Sequence, residues 1–196
     1  MLSKIMKTVS AAKTTRRRFI LGGAAAGAAL LVGFRPAAAA TAAAHLPPLE
    51  AYIRIDPDNK VTILSSQFEM GQGAYFGIAT LVNEELDADW NDIDVVGGFG
   101  NTGLYGNVAW GGVAQGTGGS TSMASSWERY RKAGAAARML LVGAAAKAWN
   151  VPESEVKAGM GRLAHASGKS ASYGEMAQAA AAMAVPADVA LKPKEQ

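Results

Sequence analysis

The chain has no cysteine among its 196 residues. It therefore has no disulfide, no zinc–thiolate site and no iron–sulfur ligands of its own. If its function needs an iron–sulfur cluster, a partner polypeptide has to carry it.

Acidic residues are missing from the first 40 positions, where seven of the 19 lysines and arginines lie. The rest of the chain has 12 basic and 16 acidic residues, so its net charge is −4. The basic pI reflects the N-terminus alone, and we expect no nucleic-acid partner. Roughly 155 residues remain after that segment, enough for one domain with its own core.

The N-terminal segment has the composition of an export signal. A basic stretch containing Arg16-Arg17-Arg18 precedes an apolar, Gly- and Ala-rich run over residues 19–34, and small residues follow at 37–44. Residues 15–20 resemble the twin-arginine signal, whose route exports folded proteins. We predict a signal peptide over 1–44, a domain over 45–196 and a periplasmic location. The alternative is an uncleaved leader that anchors the protein to the membrane.

A Gly-Gln-Gly turn stands between a strand-like run and a helix-like run. The strand-like residues are 61–66, the turn follows Glu69 and Met70, and the helical pattern begins at Ala74. Glycine lets the backbone turn sharply and approach a ligand closely, and the unpaired amides at a helix start can bind an anionic or oxo-bearing group. An ordinary strand-to-helix turn is the alternative.

A second glycine-rich segment occupies residues 97–119, which contain ten glycines. We expect no regular element there but an ordered loop, since Tyr105 and Trp110 are too large and apolar for a disordered linker. Its end, with Ser120 and Thr121 before a long helix, is suited to bind a phosphate or a pterin edge. Either hydroxyl could instead simply cap the helix.

The remaining patterns predict an α+β fold of mixed hairpins and helices. Glu84 and Glu85 are read as a solvated helix face rather than as an acid/base pair, and His165 is read as structural. Ser172 and Glu175 have the spacing of a capping box. The predicted elements are a hairpin over 52–64, a helix over 74–86, a strand over 93–96, a helix over 122–149, a small hairpin over 156–165 and a helix over 173–183.

The order of four motifs resembles a known family. The motifs are Met-Gly-Gln-Gly at 70–73, Leu-Tyr-Gly-Asn at 104–107, Gly-Thr-Gly-Gly-Ser-Thr-Ser at 116–122 and Ser-Tyr-Gly-Glu at 172–175. With these motifs the chain is similar to the molybdenum-binding large subunits of the xanthine dehydrogenase/aldehyde oxidase family, and most resembles the exported branch typified by isoquinoline 1-oxidoreductase beta subunits.

The resemblance implies a molybdenum–molybdopterin cofactor, expected in the cytosine dinucleotide form, that oxidises an aldehyde or N-heterocycle with oxygen from water. It implies that Gln72 hydrogen-bonds an oxo or sulfido ligand of the metal, and that no side chain binds the metal directly. The implied cofactor-binding residues are Met70, Gly71, Gln72, Gly73, Gly118, Gly119, Ser120 and Thr121.

The resemblance also implies partners. A small iron–sulfur subunit would take the electrons, with a cytochrome c as a further candidate acceptor. Family members continue for several hundred residues and carry their general-base glutamate near the far end, so we assign no catalytic residue here. We expect the chain to be the N-terminal portion of such an enzyme, inactive without the remainder of the large subunit. The alternative is a truncated or split, non-catalytic secreted domain.

Replacement of Arg16 and Arg17 with Lys should leave the protein in the cytoplasm. The twin-arginine receptor reads paired guanidinium groups, for which the compact ammonium of Lys is no substitute. Cell fractionation and immunoblotting measure the outcome. Unchanged delivery to the periplasm would show that the leader uses the general secretion route.

Overall fold

The structure is a computed structural model that describes residues 30–32, 52–98 and 100–193. It contains two small sheets and four α-helices in the described parts, which confirms the expected α+β class. The first sheet has the order β1 (Leu30–Val32), β2 (Ile53–Ile55), β3 (Val61–Ser65) and β4 (Ile93–Gly97). The second contains β5 (Lys157–Gly159), β6 (Arg162–Ala164) and β7 (Ser170–Ser172).

The first sheet is mixed. Strands β2 and β3 form the predicted antiparallel hairpin, with Ile53 opposite Ile63, and β4 pairs with β3 in parallel. The helix α1 (Ala74–Leu86) connects β3 to β4, as a parallel pair requires a crossover. All five residues of β3 are buried because the strand lies between two neighbours. The predicted strand over 93–96 and the predicted helix over 74–86 are confirmed.

Strand β1 lies within the apolar stretch predicted as part of the export signal. It pairs antiparallel with β2, and Leu30 and Val32 are fully buried. Cleavage within residues 37–44 would remove this strand and leave β2 at the edge of the sheet. The twin-arginine motif and the cleavage region lie outside the described residues.

The long helix α3 (Ser122–Trp149) organises the core, as predicted from residues 122–149. Its buried face is mostly alanine and glycine, which lets other helices come close. At Gly134, a Cβ would lie only 2.4 Å from Val82 O of α1. At Gly77 of α1, a Cβ would lie 2.5 Å from Met123 Sδ. The two helices therefore run in the same direction, with their N-terminal ends side by side.

The prediction that Glu84 and Glu85 share a solvated face is wrong for Glu85. Glu84 is exposed, whereas Glu85 is buried and its Oε1 lies 2.6 Å from Arg131 Nη2 of α3. Its Oε2 accepts a hydrogen bond from Lys192 N at 2.9 Å. A buried carboxylate is tolerated here because a guanidinium and a backbone amide both pair with it.

The glycine-rich segment is more regular than predicted. It contains a short helix, α2 (Thr102–Tyr105), and a 3-10 turn, Val108–Trp110. Both begin at an asparagine whose side chain accepts a backbone hydrogen bond, Asn101 from Leu104 N and Asn107 from Ala109 N. Side-chain capping thus compensates for the low helical propensity of the surrounding glycines.

The C-terminal part follows the prediction with two differences. The hairpin over 156–165 forms as β5 and β6, but a third strand, β7, extends the sheet. The helix α4 (Tyr173–Ala181) ends two residues before the predicted boundary. Its capping box between Ser172 and Glu175 is confirmed in both directions. Tyr173 OH donates to Leu86 O at 2.7 Å, which ties α4 to the end of α1.

Substitution of Gly134 by Ala should destabilise the fold, although alanine favours helices. The added Cβ would meet backbone, so the two helices must move apart, and such overpacking costs about 1–3 kcal/mol. Gly143→Ala is a matched control on the same helix, because its Cβ would meet the flexible ends of two side chains, Met183 at 2.9 Å and Glu153 at 3.2 Å, and no backbone atom of the described residues this closely. Urea unfolding compares the two variants. Equal stability would contradict the close packing of α1 and α3.

Candidate functional site

Three of the four motif segments meet at the N-terminal ends of α1 and α3. We call residues 69–73 the first glycine segment and residues 116–122 the second. Immediately before the first, Phe68 N donates to Thr117 Oγ1 of the second at 2.8 Å. From residues 104–107, the Asn107 side chain donates to Thr121 Oγ1 at 2.8 Å. The fourth motif, residues 172–175, begins α4 and acts as its cap.

Asn107 is a buried centre of hydrogen bonding. Its Nδ2 donates to Gly116 O at 3.1 Å as well as to Thr121 Oγ1. Its Oδ1 accepts from Ser125 Oγ at 2.5 Å and from Ala109 N at 3.0 Å. The side chain uses both donors and the carbonyl, so it holds the second glycine segment against the start of α3. The sequence motif included this residue but did not predict its structural role.

The amides of the first glycine segment are not unpaired, contrary to the prediction. The Glu69 carboxylate accepts hydrogen bonds from Gly71 N at 2.7 Å and from Gly73 N and Tyr75 N at 3.0 Å. These bonds, from Tyr75 foremost and then from Gly73 and Gly71, favour the charged form and hold the pKa of Glu69 below its usual value. An acidic side chain thus occupies the N-terminal amides of α1.

Gln72 is exposed at the top of the same turn. Its Nε2 donates to Phe68 O at 2.7 Å, and its Oε1 accepts from Met70 N at 2.6 Å. An amide nitrogen has two N–H bonds, so the second can still donate to a ligand. The structure therefore places Gln72 at the mouth of the turn, as predicted, and adds a role in closing the loop.

The glycines predicted to contact a cofactor have an open backbone face. A Cβ at Gly71 or Gly73 would have no described atom within 4 Å, and one at Gly118 would lie 3.8 Å from the Trp110 ring. The positive φ of Gly71, Gly73 and Gly119 is sufficient to explain those glycines. Gly118 has neither positive φ nor crowding, so open access to its backbone is the remaining physical reason for glycine.

Gly116 serves a different purpose. A Cβ there would lie 2.6 Å from the Trp110 ring, so this glycine allows the indole to pack against the backbone. Thr121 occupies the N-cap position of α3, but its hydroxyl donates to Gly118 O at 2.7 Å instead of capping the helix. Ser120 is exposed, with φ of 56°. The turn is thus held by Trp110 and Thr121, while Gly118, Gly119 and Ser120 face outward.

Large apolar side chains around this site are exposed. Met70 is 68% exposed and Phe76, in the first turn of α1, is 69% exposed. Apolar side chains together with the uncapped amides at the start of α3 suit a flat ligand with a polar edge. The other exposed apolar residues near the two segments are Phe68, Trp110, Val113 and Met123.

The histidine singled out in the sequence does not belong to this site, and the described residues contain no metal centre made of side chains. His165, expected to be structural, forms hydrogen bonds with Ser167 Oγ at 2.8 Å and Glu155 Oε2 at 2.9 Å in the second sheet. Within residues 30–32, 52–98 and 100–193, no group of three or more His, Asp or Glu side chains is placed to hold a metal ion. In the same residues, no helix is long and apolar enough to cross a bilayer.

The arrangement fits the edge of a large polar cofactor, because the side-chain amide of Gln72 faces it from the first segment and uncapped amides and the Ser120 hydroxyl face it from the second. A family model described as the molybdopterin cofactor-binding domain matches residues 4–194. Since this match covers nearly the whole chain, the protein belongs to the family of molybdopterin cofactor-binding domains.

Two characterised relatives are similar over most of the chain. The beta subunit of isoquinoline 1-oxidoreductase from Brevundimonas diminuta is 37% identical over 151 residues, which cover 74% of this chain and 19% of that protein. The membrane-bound aldehyde dehydrogenase (pyrroloquinoline-quinone) of Gluconacetobacter polyoxogenes is 29% identical over 122 residues, 62% of this chain and 15% of that protein.

The fold is also found among solved structures. CO dehydrogenase from Oligotropha carboxidovorans superposes with a TM-score of 0.51 at 22% identity, covering 77% of this chain and 18% of that one. At this identity the likeness shows the fold alone. The chain spans about a fifth of the length of the relatives it matches.

Acidification should loosen the first glycine segment. Because the pKa of Glu69 is lowered in the folded state, the stabilisation is complete above the ordinary carboxyl pKa of 4.5 and is lost as pH falls through the folded value. NMR titration should therefore place the Glu69 carboxyl below 4.5. At one fixed pH, Glu69→Gln should speed amide exchange at Gly73 and Tyr75, whereas Glu84→Gln should not. A Glu69 carboxyl that titrates at or above its ordinary value would contradict the geometry.

Proposed function

We propose that this chain is the cofactor-binding N-terminal portion of an exported molybdenum hydroxylase. Membership of the molybdopterin-binding family supports the cofactor, and the relatives' names support an oxidoreductase. The substrate class proposed is an aldehyde or an N-heterocycle, with oxygen supplied by water. The observation that carries the proposal is the open backbone of two glycine segments, held against each other at the N-terminal ends of two parallel helices.

Each segment would hold the cofactor from one side. Met70, Gly71, Gln72 and Gly73 would contact it from the first, with the free N–H of Gln72 donating to an oxygen or sulfur at the metal. From the second, the residues would be Gly118, Gly119, Ser120 and Thr121. When bound, a molybdenum–pterin group supplies the two-electron oxidation of the substrate.

The two sides differ in charge. Glu69 already neutralises the amides at the start of α1, so an anionic group is disfavoured there. The Thr121 hydroxyl at the start of α3 is directed to Gly118 O, which leaves the α3 amides for an acceptor on the ligand. We therefore assign the phosphates of a pterin dinucleotide, in the cytosine form, to the second glycine segment. The neutral pterin edge would lie against the first.

The rest of the reaction needs other polypeptide segments. The carboxylate that the described residues bring to the site, Glu69, already accepts three backbone hydrogen bonds, so the catalytic glutamate is proposed to lie in the remainder of the large subunit. Electrons are proposed to leave through a small iron–sulfur subunit, since this chain has no cysteine to hold a cluster. A cytochrome c would be the next acceptor. We place the assembled enzyme in the periplasm.

The proposal predicts that Gly118→Val lowers molybdenum content without unfolding the protein. Its branched side chain would occupy the open face, and we expect about ten-fold weaker cofactor retention, equivalent to roughly 1.4 kcal/mol. Gly119 is a poorer choice, because its φ of +61° would strain any substitute. The measurement is molybdenum per chain in the complex purified from the organism that makes it, together with thermal stability.

Gly159→Val provides the matched control. Gly159 also has no described atom within 4 Å of its Cβ position and no positive φ, but it lies in β5 of the second sheet. It should retain full molybdenum. Full molybdenum in both variants would show that the second glycine segment is only a structural turn. An absence of molybdenum from the wild-type complex would favour a non-catalytic structural domain.

A further inference from the structure

The hydroxyl of Thr117 joins the second glycine segment to the two residues that lead into the first. Thr117 Oγ1 accepts from Phe68 N at 2.8 Å and donates to Gln67 Oε1 at 3.1 Å. Gln67 is 1% exposed and lies two residues after the end of β3. This one hydroxyl therefore acts as both a donor and an acceptor. Its two partners are consecutive residues that lie just before the first glycine segment.

A second hydroxyl, that of the buried Tyr130, holds the residues at the end of β3. Tyr130 OH donates to Leu64 O at 2.8 Å and accepts from Ser66 N at 2.6 Å. Tyr130 is fully buried on α3, and Ser122, two turns earlier on the same face, donates to Gln67 Oε1 at 3.4 Å. The helix that begins at the second glycine segment thus sets the path of the first.

The contact between α3 and the residues that follow β3 is polar, although an apolar contact would be more stable. Ser66 Oγ, Gln67 Nε2 and Ser126 Oγ are buried and have no hydrogen-bond partner among the described residues. Unpaired buried groups reduce stability, whereas apolar groups of the same shape would not. The hydrogen bonds of Thr117 and Tyr130 are therefore better explained by the position that they fix for residues 64–68 than by their contribution to stability.

We propose that Thr117 is a positioning residue that sets the separation of the two glycine segments and so the width of the cofactor site. Thr117 itself need not touch the cofactor. Its loss would leave the helices and sheets intact but free the chain from Phe68 to Gly73 to shift relative to Gly118. The inference deepens the proposed function, because it concerns how the same site holds its ligand.

The test compares Thr117→Val, which keeps the shape and loses the hydroxyl, with Thr117→Ser, which keeps the hydroxyl. Thr80→Val is the matched control, since in the part of the chain that the structure describes the Thr80 hydroxyl bonds only Phe76 O of α1, at 3.0 Å. Hydrogen–deuterium exchange on the purified, cofactor-free chain reports the Phe68 amide. Molybdenum per chain in the native complex reports the site, and thermal unfolding reports the fold.

Thr117→Val should speed exchange at Phe68 about five-fold, the factor that one ordinary hydrogen bond contributes to an opening equilibrium. It should also lower molybdenum per chain, while the unfolding temperature falls by no more than the roughly 2–4 °C that one hydrogen bond accounts for. Thr117→Ser should restore both, and Thr80→Val should alter neither. If the wild-type complex holds no molybdenum, the proposed function fails, but the exchange measurement still tests the link between the segments.

Two results would overturn the inference. The first is a Thr117→Val variant with wild-type exchange at Phe68 or wild-type molybdenum content. The second is failure of both Thr117→Val and Thr117→Ala to fold while Thr80→Val folds, because Thr117 would then serve global folding and not the position of one segment.

Discussion

The parallel packing of α1 along α3 is the constraint on which the rest of the structure depends. The helices approach so closely at Gly134 that a single Cβ would meet Val82 O at 2.4 Å. The buried Glu85 pairs with Arg131 a little further along the same contact. Because both helices run the same way, their N-terminal ends and the glycine segments before them come together at one end of the molecule.

The resulting site is made mainly of backbone. Side chains act on it indirectly: Glu69 holds the first turn through three amides, and Asn107 holds the second through Gly116 and Thr121. Backbone groups do not change charge with pH and lose no rotamer freedom on binding, so they would suit the proposed role of binding the edge of a large cofactor. The negative carboxylate at α1 and the open amides at α3 make its two sides electrostatically different.

Local patterns predicted much of this fold. The helices over 74–86 and 122–149, the hairpin over 52–64 and the capping box at Ser172 each depend on residues within a few positions of one another, and each was confirmed. The missed helix α2 has its cap, Asn101, within its own segment, whereas two other errors arose where a distant partner decides the outcome. Glu85 reads as a solvated residue until Arg131 packs against it, and the three-residue strand β7 has too little pattern to be recognised without β6.

The sequence by itself determined where the chain turns, which segments become helices and which motifs belong to the molybdopterin-binding family. Glycine, asparagine and capping residues carry that information because they bias φ, ψ and hydrogen bonds locally. Only the tertiary structure decided that Thr117 meets Phe68, that Asn107 meets Thr121 and that Arg131 pairs with Glu85. Those contacts depend on the relative position of elements, which is set by helix packing and by no single stretch of residues.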